Sequence, residues 1–355
     1  MENNLFEADK HILDALLSLE TQPAANPEEA DEVIKAGDEM PPTAQNLQKR
    51  ANYIQQATFG ERAEALDLTA GFAHLVDGGF IQRQDDTYQL MDSGRIQARH
   101  ARLKRIGKRY SSYLMRAAES AAHATFCRRV FGKNLCQANM MDMGQLEILL
   151  DALCLSTDNK VLDLACGMGE IAEYISNTTG AHVVGVDIAQ EALMVAQERT
   201  RQKRGRLEFL YGDLNDLDFP PASFDAIVAI AAVHFADDLD ETLRQLKNFL
   251  TPEGQIGIFT FQYASDSDDA DALLPEYTDL ARALQKNSFD FQTWDFTERE
   301  IEIRRKQLQE AKNLLGDFQA EGNLDLIEDR IEECEIDLPY LEAGLKRRYL
   351  YHAKR

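Results

Sequence analysis

The chain has 355 residues, so at roughly 150 residues per domain it can hold two or three domains and bury a real core. Apolar residues make up 44% and charged residues 28%, a balance that excludes a disordered chain. Thirty-eight Lys and Arg against 61 Asp and Glu leave a formal net charge of −23, which repels polyphosphate at long range and argues against nucleic acid as a partner. No run approaches the roughly 20 consecutive apolar residues that span a bilayer, and Met1-Glu2-Asn3-Asn4 lacks the basic start of a signal peptide, so a cytoplasmic protein without membrane contact is expected. Cys127, Cys136, Cys154, Cys166 and Cys334 include no C-x-x-C pair and are odd in number, which predicts reduced thiols and no metal site.

The segment from Asp9 to Leu17 has apolar residues at helical spacing, and the Pro- and acid-rich stretch from Thr21 to Pro42 that follows predicts a loop or linker. Helices are expected over Thr43 to Gln56 and Ala63 to Asp77, the second ending at Gly78-Gly79. Phe80 to Gln84 and Thr87 to Leu90 alternate as two strands around an Asp85-Asp86 turn. Three helices and a hairpin in this order make a winged helix, and Leu75-Val76-Asp77-Gly78-Gly79-Phe80-Ile81 with Tyr88-Gln89-Leu90 resembles the recognition-helix-and-wing segment of that superfamily. Leu13, Leu16, Leu17, Phe72 and Leu75 exceed what so small a core should absorb, which predicts a homodimer through this module.

From Arg95 to Lys133 the charge reverses, with eleven basic residues facing the single acid Glu119, and the segment reads as a helical connector with a solvated basic face. After a helix over Met143 to Leu153, short apolar strands at Lys160–Leu164, His182–Val186, Leu207–Tyr211, Phe224–Ile230 and Gln255–Phe261 alternate with helical patterns. This alternation predicts an α/β fold, a doubly wound parallel sheet.

The first strand of the sheet runs into Ala165-Cys166-Gly167-Met168-Gly169-Glu170 and at once into a helix from Ile171 to Ser176. Glycines let the backbone approach a ligand, and the helix start offers free N–H groups. Asp187 ends the second strand, where an acid can accept hydrogen bonds from both hydroxyls of an adenosine ribose. The pattern Gly167-Met168-Gly169-Glu170-Ile171-Ala172 also satisfies the dinucleotide fingerprint, so a nicotinamide dehydrogenase is a competing reading. Three features favour S-adenosylmethionine. Asp163 lies where a carboxylate can reach the ammonium of a methionine tail; Asp213 and Leu214 can serve the adenine; and the block Ser223 to Ala229 leads into Ala231 to Phe235 at the carboxyl edge, where ligands bind in such sheets.

Five motifs in order carry a resemblance to the class I S-adenosylmethionine-dependent methyltransferases: Val161 to Gly169, Val184 to Ile188, Gly212 to Leu214, Phe224 to Val228 and Leu250 to Ile256. They cover about the middle third of the chain, with Ala165 standing where the family most often has Gly. The resemblance implies a seven-stranded sheet, S-adenosylmethionine as cofactor and a small-molecule methyl acceptor whose reacting atom, O, N or C, stays open. It also implies cofactor contacts from Asp163, Ala165, Gly167, Gly169, Asp187, Ile188, Asp213, Leu214 and Ala229, with Gln137 the polar residue most suited to cover the cofactor. A winged helix before such a core resembles small-molecule O-methyltransferases, in which that module dimerises, although the Cys166-Gly-x-Gly form is closer to quinone-biosynthesis-like enzymes.

The resemblance places His234 where the O-methyltransferases carry a catalytic histidine, a position equally compatible with a structural role. Tyr110, Tyr113 and His123 are candidates to line the acceptor pocket. The acidic run Ser265 to Asp271 predicts a solvated loop, and Phe289 to Phe296, with Trp294, a sixth strand. Thr297 and Glu300 predict a capping box that starts a helix to about Leu315. A further helix over Leu324 to Cys334 and a last strand over Arg347 to His352 follow. The expected organisation is a winged-helix domain over 1–105, a helical connector over 106–158, and a methyltransferase domain over 159–355 with a helical insertion at 297–345. The alternative from another class is a winged-helix regulator that binds DNA and senses an adenosine ligand, supported by the basic run Arg95 to Arg109.

Overall fold

A computed structural model describes residues 5–20, 41–59, 67–138, 141–264 and 271–355. The stretch 21–40, the helix start expected at 63–66, Asn139 and Met140, and positions 265–270 of the acidic run lie outside the described residues. The chain forms two compact units, Met1–Arg109 and Tyr110–Arg355.

In the first unit, α1 (Glu7–Glu20), α2 (Ala44–Phe59) and α3 (Thr69–Asp77) precede a hairpin of β1 (Ile81–Gln84) and β2 (Thr87–Leu90), and α4 begins at Asp92. The strands pair antiparallel, Ile81 opposite Leu90, around a two-residue turn in which Asp85 takes φ +52°. Their inward residues join Ile12, Leu13, Leu16, Leu17, Leu47, Phe72 and Leu75 in one core. Leu13, Leu16, Leu17, Phe72 and Leu75, expected to seek a partner face, are thus buried inside their own unit, because α1 packs across α2 and α3 and gives each of them a neighbour. Two buried acids are held as well: Asp9 accepts from the Phe6 N–H and meets His74 Nδ1 at 2.7 Å, and Asp14 pairs with Arg105 at 2.6 Å.

The second unit takes up the end of α4 (Asp92–Glu119), then α5 (Ala121–Phe131), α6 (Met143–Leu153) and a seven-stranded sheet. Ser120 caps α5 through the His123 N–H, and Asp142 with Gln145 forms a complete capping box on α6. The strands are β3 (Lys160–Leu164), β4 (His182–Asp187), β5 (Leu207–Tyr211), β6 (Phe224–Ile230), β7 (Leu250–Tyr263), β8 (Asp290–Asp295) and β9 (Lys346–Lys354), in the spatial order β5-β4-β3-β6-β7-β9-β8. β3 to β7 run parallel, and β9 is antiparallel to both β7 and β8. The central strands are buried on both faces, as near-continuous apolar runs require. One face packs on α9 (Leu239–Phe249) and α10 (Asp279–Lys286), the other on α6, α7 (Glu170–Thr179) and α8 (Gln190–Arg199).

Several elements depart from the sequence expectation by more than a residue or two. β7 starts at Leu250 rather than Gln255, because Phe224 pairs with Leu250 and a register shift absorbs Thr251 to Gly254. The capping box at Thr297 does not form: α11 (Thr297–Glu321) is capped by Phe296 without a side-chain bond. Thr297 Oγ1 instead accepts the Arg348 N–H of β9, and Glu300 turns inward to a buried arginine. The helices also run on, α11 to Gly322, where φ +73° ends it, and α12 (Leu324–Glu342) through Pro339. What holds the last turns of α12 is burial of Asp337 and Leu341. Arg304 of α11, fully buried, lies between Glu300, Glu333 and Asp337, and Asp337 also pairs with Lys346 of β9.

Candidate cofactor and active site

The carboxyl ends of β3, β4, β5 and β6 meet where the strand order reverses between β3 and β6, the position at which open α/β sheets bind ligands. β3 leaves the sheet through Ala165 with φ +55°, Gly167 with φ +55° and Gly169 with φ +70°. Ala165 is exposed and bears the left-handed strain that glycine would avoid. At Gly169 glycine is required on space as well as angle, since a Cβ would stand 2.2 Å from Cε1 of Phe209 on β5. The turn closes on itself through Gly169 N–H to the Cys166 carbonyl, and Glu170 begins α7.

Two carboxylates flank this turn in different states of satisfaction. Asp187 ends β4, accepting the Gly167 N–H at 2.7 Å on one oxygen and the Ala189 N–H at 2.8 Å on the other. Burial pushes its carboxyl up, and backbone N–H groups of Ala189, Gly167 and Ile188 pull it back. Asp163 sits inside β3 with 3% of its surface exposed, and its Oδ2 has no hydrogen-bond partner among the described residues. Burial first, and the neighbouring Asp187 second, push its carboxyl up to about 8.

The remaining edge is tied together by backbone and amide bonds. Gly212 N–H donates to the Asp187 carbonyl, which brings Asp213 and Leu214 beside the end of β4. Asp213 accepts the N–H and the side-chain amide of Asn215, and that amide also reaches the Phe235 carbonyl at 3.1 Å. After β6 the chain turns through Ala231 at φ +51° into a single 3-10 turn, Val233–Phe235. His234 is exposed there, its ring 4.0 Å from that of Phe235, and Tyr110 of α4 meets Phe235 edge-on at 6.1 Å. Four residues on, Leu114 lies against Gly167. One face of the last turns of α4 therefore touches both sides of the crevice.

The other expected site residues lie elsewhere. Ala229 is fully buried between β3 and β7, opposite Leu164 and Ile258, so its methyl has no open face toward a ligand. Gln137 is spent on its own loop, accepting the Leu135 N–H and donating to the Lys133 carbonyl. Tyr113 and His123 form a separate cluster with the insertion helices. The rings cross at 6.4 Å, and Arg330 of α12 donates to the Tyr113 hydroxyl at 3.2 Å. Burial, helped by the Arg330 charge, pushes His123 down to about 4.

Three residues without a sequence signal join the edge. Asn215 bridges the β5 and β6 loops, Leu114 covers Gly167, and Arg199 donates to the Met168 carbonyl at 2.6 Å while pairing with Glu170 and Glu173. Burial pushes Glu170 up to about 7 against the pull of Arg199. Among the described residues, no group of three or more His, Cys, Asp or Glu side chains could hold a metal ion, and no helix is long and apolar enough to cross a membrane.

The methyltransferase-domain family matches residues 161–254, from β3 to the start of β7. The chain is 31% identical over 147 residues to methyltransferase GfsG of Streptomyces halstedii, a match that takes in 41% of this chain and 53% of that protein. It spans little more than half, or less, of the length of the curated relatives it matches. Among solved structures, the cyclopropane synthase MmaA2 of Mycobacterium tuberculosis superposes with TM-score 0.55 at 14% identity, over 69% of this chain and 98% of that one. A phosphoethanolamine N-methyltransferase of Haemonchus contortus in complex with S-adenosyl-L-methionine gives TM-score 0.54 at 20% identity, over 69% of this chain and 59% of that one. These likenesses show a Rossmann-like methyltransferase fold with a mostly parallel seven-stranded sheet.

Proposed function

We propose that this chain, which carries a class I S-adenosylmethionine-dependent methyltransferase domain, is an enzyme that transfers the methyl group of S-adenosylmethionine to a small-molecule acceptor. The observation that carries the reading is Asp163, a buried carboxylate without a partner beside a glycine turn. An ammonium is the partner that would draw out its negative charge, whereas the pyrophosphate of a dinucleotide would oppose that ionisation. In this reading Asp163 holds the amino-acid tail, Ala165, Gly167 and Gly169 shape the turn that receives it, and Asp187 with Ile188 holds the ribose. Asp213 and Leu214 hold the adenine.

The cofactor supplies an electrophilic methyl on a sulfonium. Its transfer is an in-line displacement that depends on alignment and exclusion of water. Tyr110 and Leu114 of α4, with Phe235, provide the cover over the crevice. Where the acceptor is a hydroxyl, His234 takes its proton; where it is an amine or carbon, alignment does the work and His234 only shapes the edge. Tyr113 and His123, held in their own cluster with α11 and α12, are then a wall behind the acceptor rather than groups that touch it.

The first unit is assigned as a winged-helix module, and the protein as a cytoplasmic homodimer. Dimerisation through this module would use faces other than the buried leucines and Phe72. Calorimetry with S-adenosylhomocysteine and NADH tests the cofactor reading. Micromolar binding of the first and none of the second is expected; the reverse would mean a dehydrogenase. Binding of S-adenosylhomocysteine together with a salt-sensitive DNA shift, and no methyl transfer to a small-molecule extract, would favour the regulator.

A further inference from the structure

Asp163 of β3 stands opposite Gly185 of β4, two residues before Asp187, and only one of the two acids is equipped to be an anion. Asp187 accepts two backbone N–H groups, those of Gly167 and Ala189, and the Ile188 N–H also favours its charged form. Asp163 has neither a hydrogen bond nor an ion pair among the described residues, although nearly all of its surface is buried. The titratable groups that face it are Asp187 from β4 and Cys166 from the turn after β3. On its other side β6 presents Val228, and α4 meets the turn with Leu114. Among the described residues no cation stabilises its charge, and the neighbouring acid opposes ionisation.

We propose that Asp163 gives up a proton to solvent when an adenosyl ligand bearing an α-ammonium enters, so that the site's selectivity for such ligands over tail-less adenosine thioethers grows with pH. The inference rests on the cofactor reading above and deepens it. In the exchange the carboxyl O–H bond breaks with its electron pair left on oxygen. The ligand's ammonium keeps its three protons, the new carboxylate pairs with it, and nothing is oxidised or reduced. In the ligand-free protein the acid is neutral because burial and Asp187 hold it up at about 8. Below that pH, binding must include the cost of removing the proton; above it, the carboxylate is already formed. A ligand without the tail leaves Asp163 as it was.

The test is isothermal titration calorimetry of the full chain with S-adenosylhomocysteine and with 5′-methylthioadenosine at pH 7, in buffers of different ionisation enthalpy. About one proton should leave with S-adenosylhomocysteine and none with 5′-methylthioadenosine. Between pH 6 and 7 the affinity for S-adenosylhomocysteine should rise about tenfold while that for 5′-methylthioadenosine stays flat. In Asp163→Asn the proton release and the pH dependence should both vanish, with 5′-methylthioadenosine binding as the check that the adenosine half of the site is intact. Tight binding of S-adenosylhomocysteine by the unaltered protein without proton release would overturn the proposal and leave the cofactor reading standing. The same release in Asp163→Asn would also overturn it, by assigning the proton to another group. Failure of both ligands to bind would overturn the cofactor reading and the proposal with it.

Discussion

The carboxylate of Asp187 accepts the Gly167 N–H at 2.7 Å, which ties the end of β4 to the turn after β3. The same side chain is therefore a brace for the turn and the expected anchor for a ribose.

Replacing Asp187 should act on both. Asp187→Ala removes two charge-assisted hydrogen bonds to a ribose, each worth roughly 1.5–3 kcal/mol, and should weaken S-adenosylhomocysteine binding by at least about 10²-fold in calorimetry. Asp187→Asn, which can still accept the Gly167 N–H, should lower thermal stability less than Asp187→Ala. Equal affinities for all three proteins would reject the assignment.

At Gly169 the added methyl of Gly169→Ala would meet Phe209 Cε1 at 2.2 Å in a backbone with φ +70°. Overpacking and left-handed strain together should cost about 2–4 kcal/mol, read as a lowered urea midpoint. The double variant Gly169→Ala, Phe209→Leu should recover part of the loss if the ring is the obstacle. Ala165→Gly, at an exposed position with φ +55°, should instead hold or raise the midpoint.

The buried ions of the insertion predict an asymmetric response. Arg304→Met takes from the buried Glu300 its ion-pair partner and leaves Asp337 with Lys346 but not Arg304, and should cost about 3–5 kcal/mol. By contrast, the exposed pair of Arg305 and Glu342 on the same two helices should change stability by no more than about 1 kcal/mol when Arg305→Ala breaks it. Denaturation midpoints of similar size for the two variants would show that Arg304 is not the centre of the network.

His123 supplies a pH dependence whose sign is fixed by its environment. Its folded form titrates at about 4 and its ordinary value is 6.5, so between these the unfolded chain takes up a proton that the folded chain refuses. Its contribution to stability is present above pH 6.5 and lost as pH falls toward 4. His123→Leu should flatten that part of the acid limb in a series of thermal melts. An unchanged limb would show that the ring is accessible to protons in the folded state.

His234→Ala separates the two roles open to that residue. Loss of about 10²–10⁴-fold in kcat with unchanged cofactor affinity marks a general base acting on a hydroxyl. Full retention of turnover points to an amine or carbon acceptor.

How much of this was legible depends on the range of the interactions. β3, β5, β6 and α6 lie where the sequence expects them, because each is a short buried run or a cap signal that its own residues specify. The turn from Asp163 to Gly169 is local in the same sense. What the sequence concealed was long-range. Glu300 reads as the second half of a capping box until Arg304, Glu333 and Asp337 are seen around it, and Thr297 reads as a cap until β9 claims its hydroxyl. Gln137 looks like a spare polar group, yet its partners are only two and four residues away. A bend tight enough to use both ends of one amide leaves no periodic trace. Asn215 escaped notice because what matters about it is the loop twenty residues further on.

The position of β9 has a consequence for how the protein is made. Residues 346–354 are paired on both sides, with β7 and with β8, so they form an interior strand of the sheet although they follow both of their neighbours in the sequence. While a ribosome is still adding the residues before them, β7 has an open edge, β8 has no neighbour, and Asp337 lacks Lys346. A nascent chain halted near Glu342 would therefore offer two unsatisfied strand edges to other chains. Only the emergence of residues 346–354 removes that hazard, by inserting a strand between two that precede it.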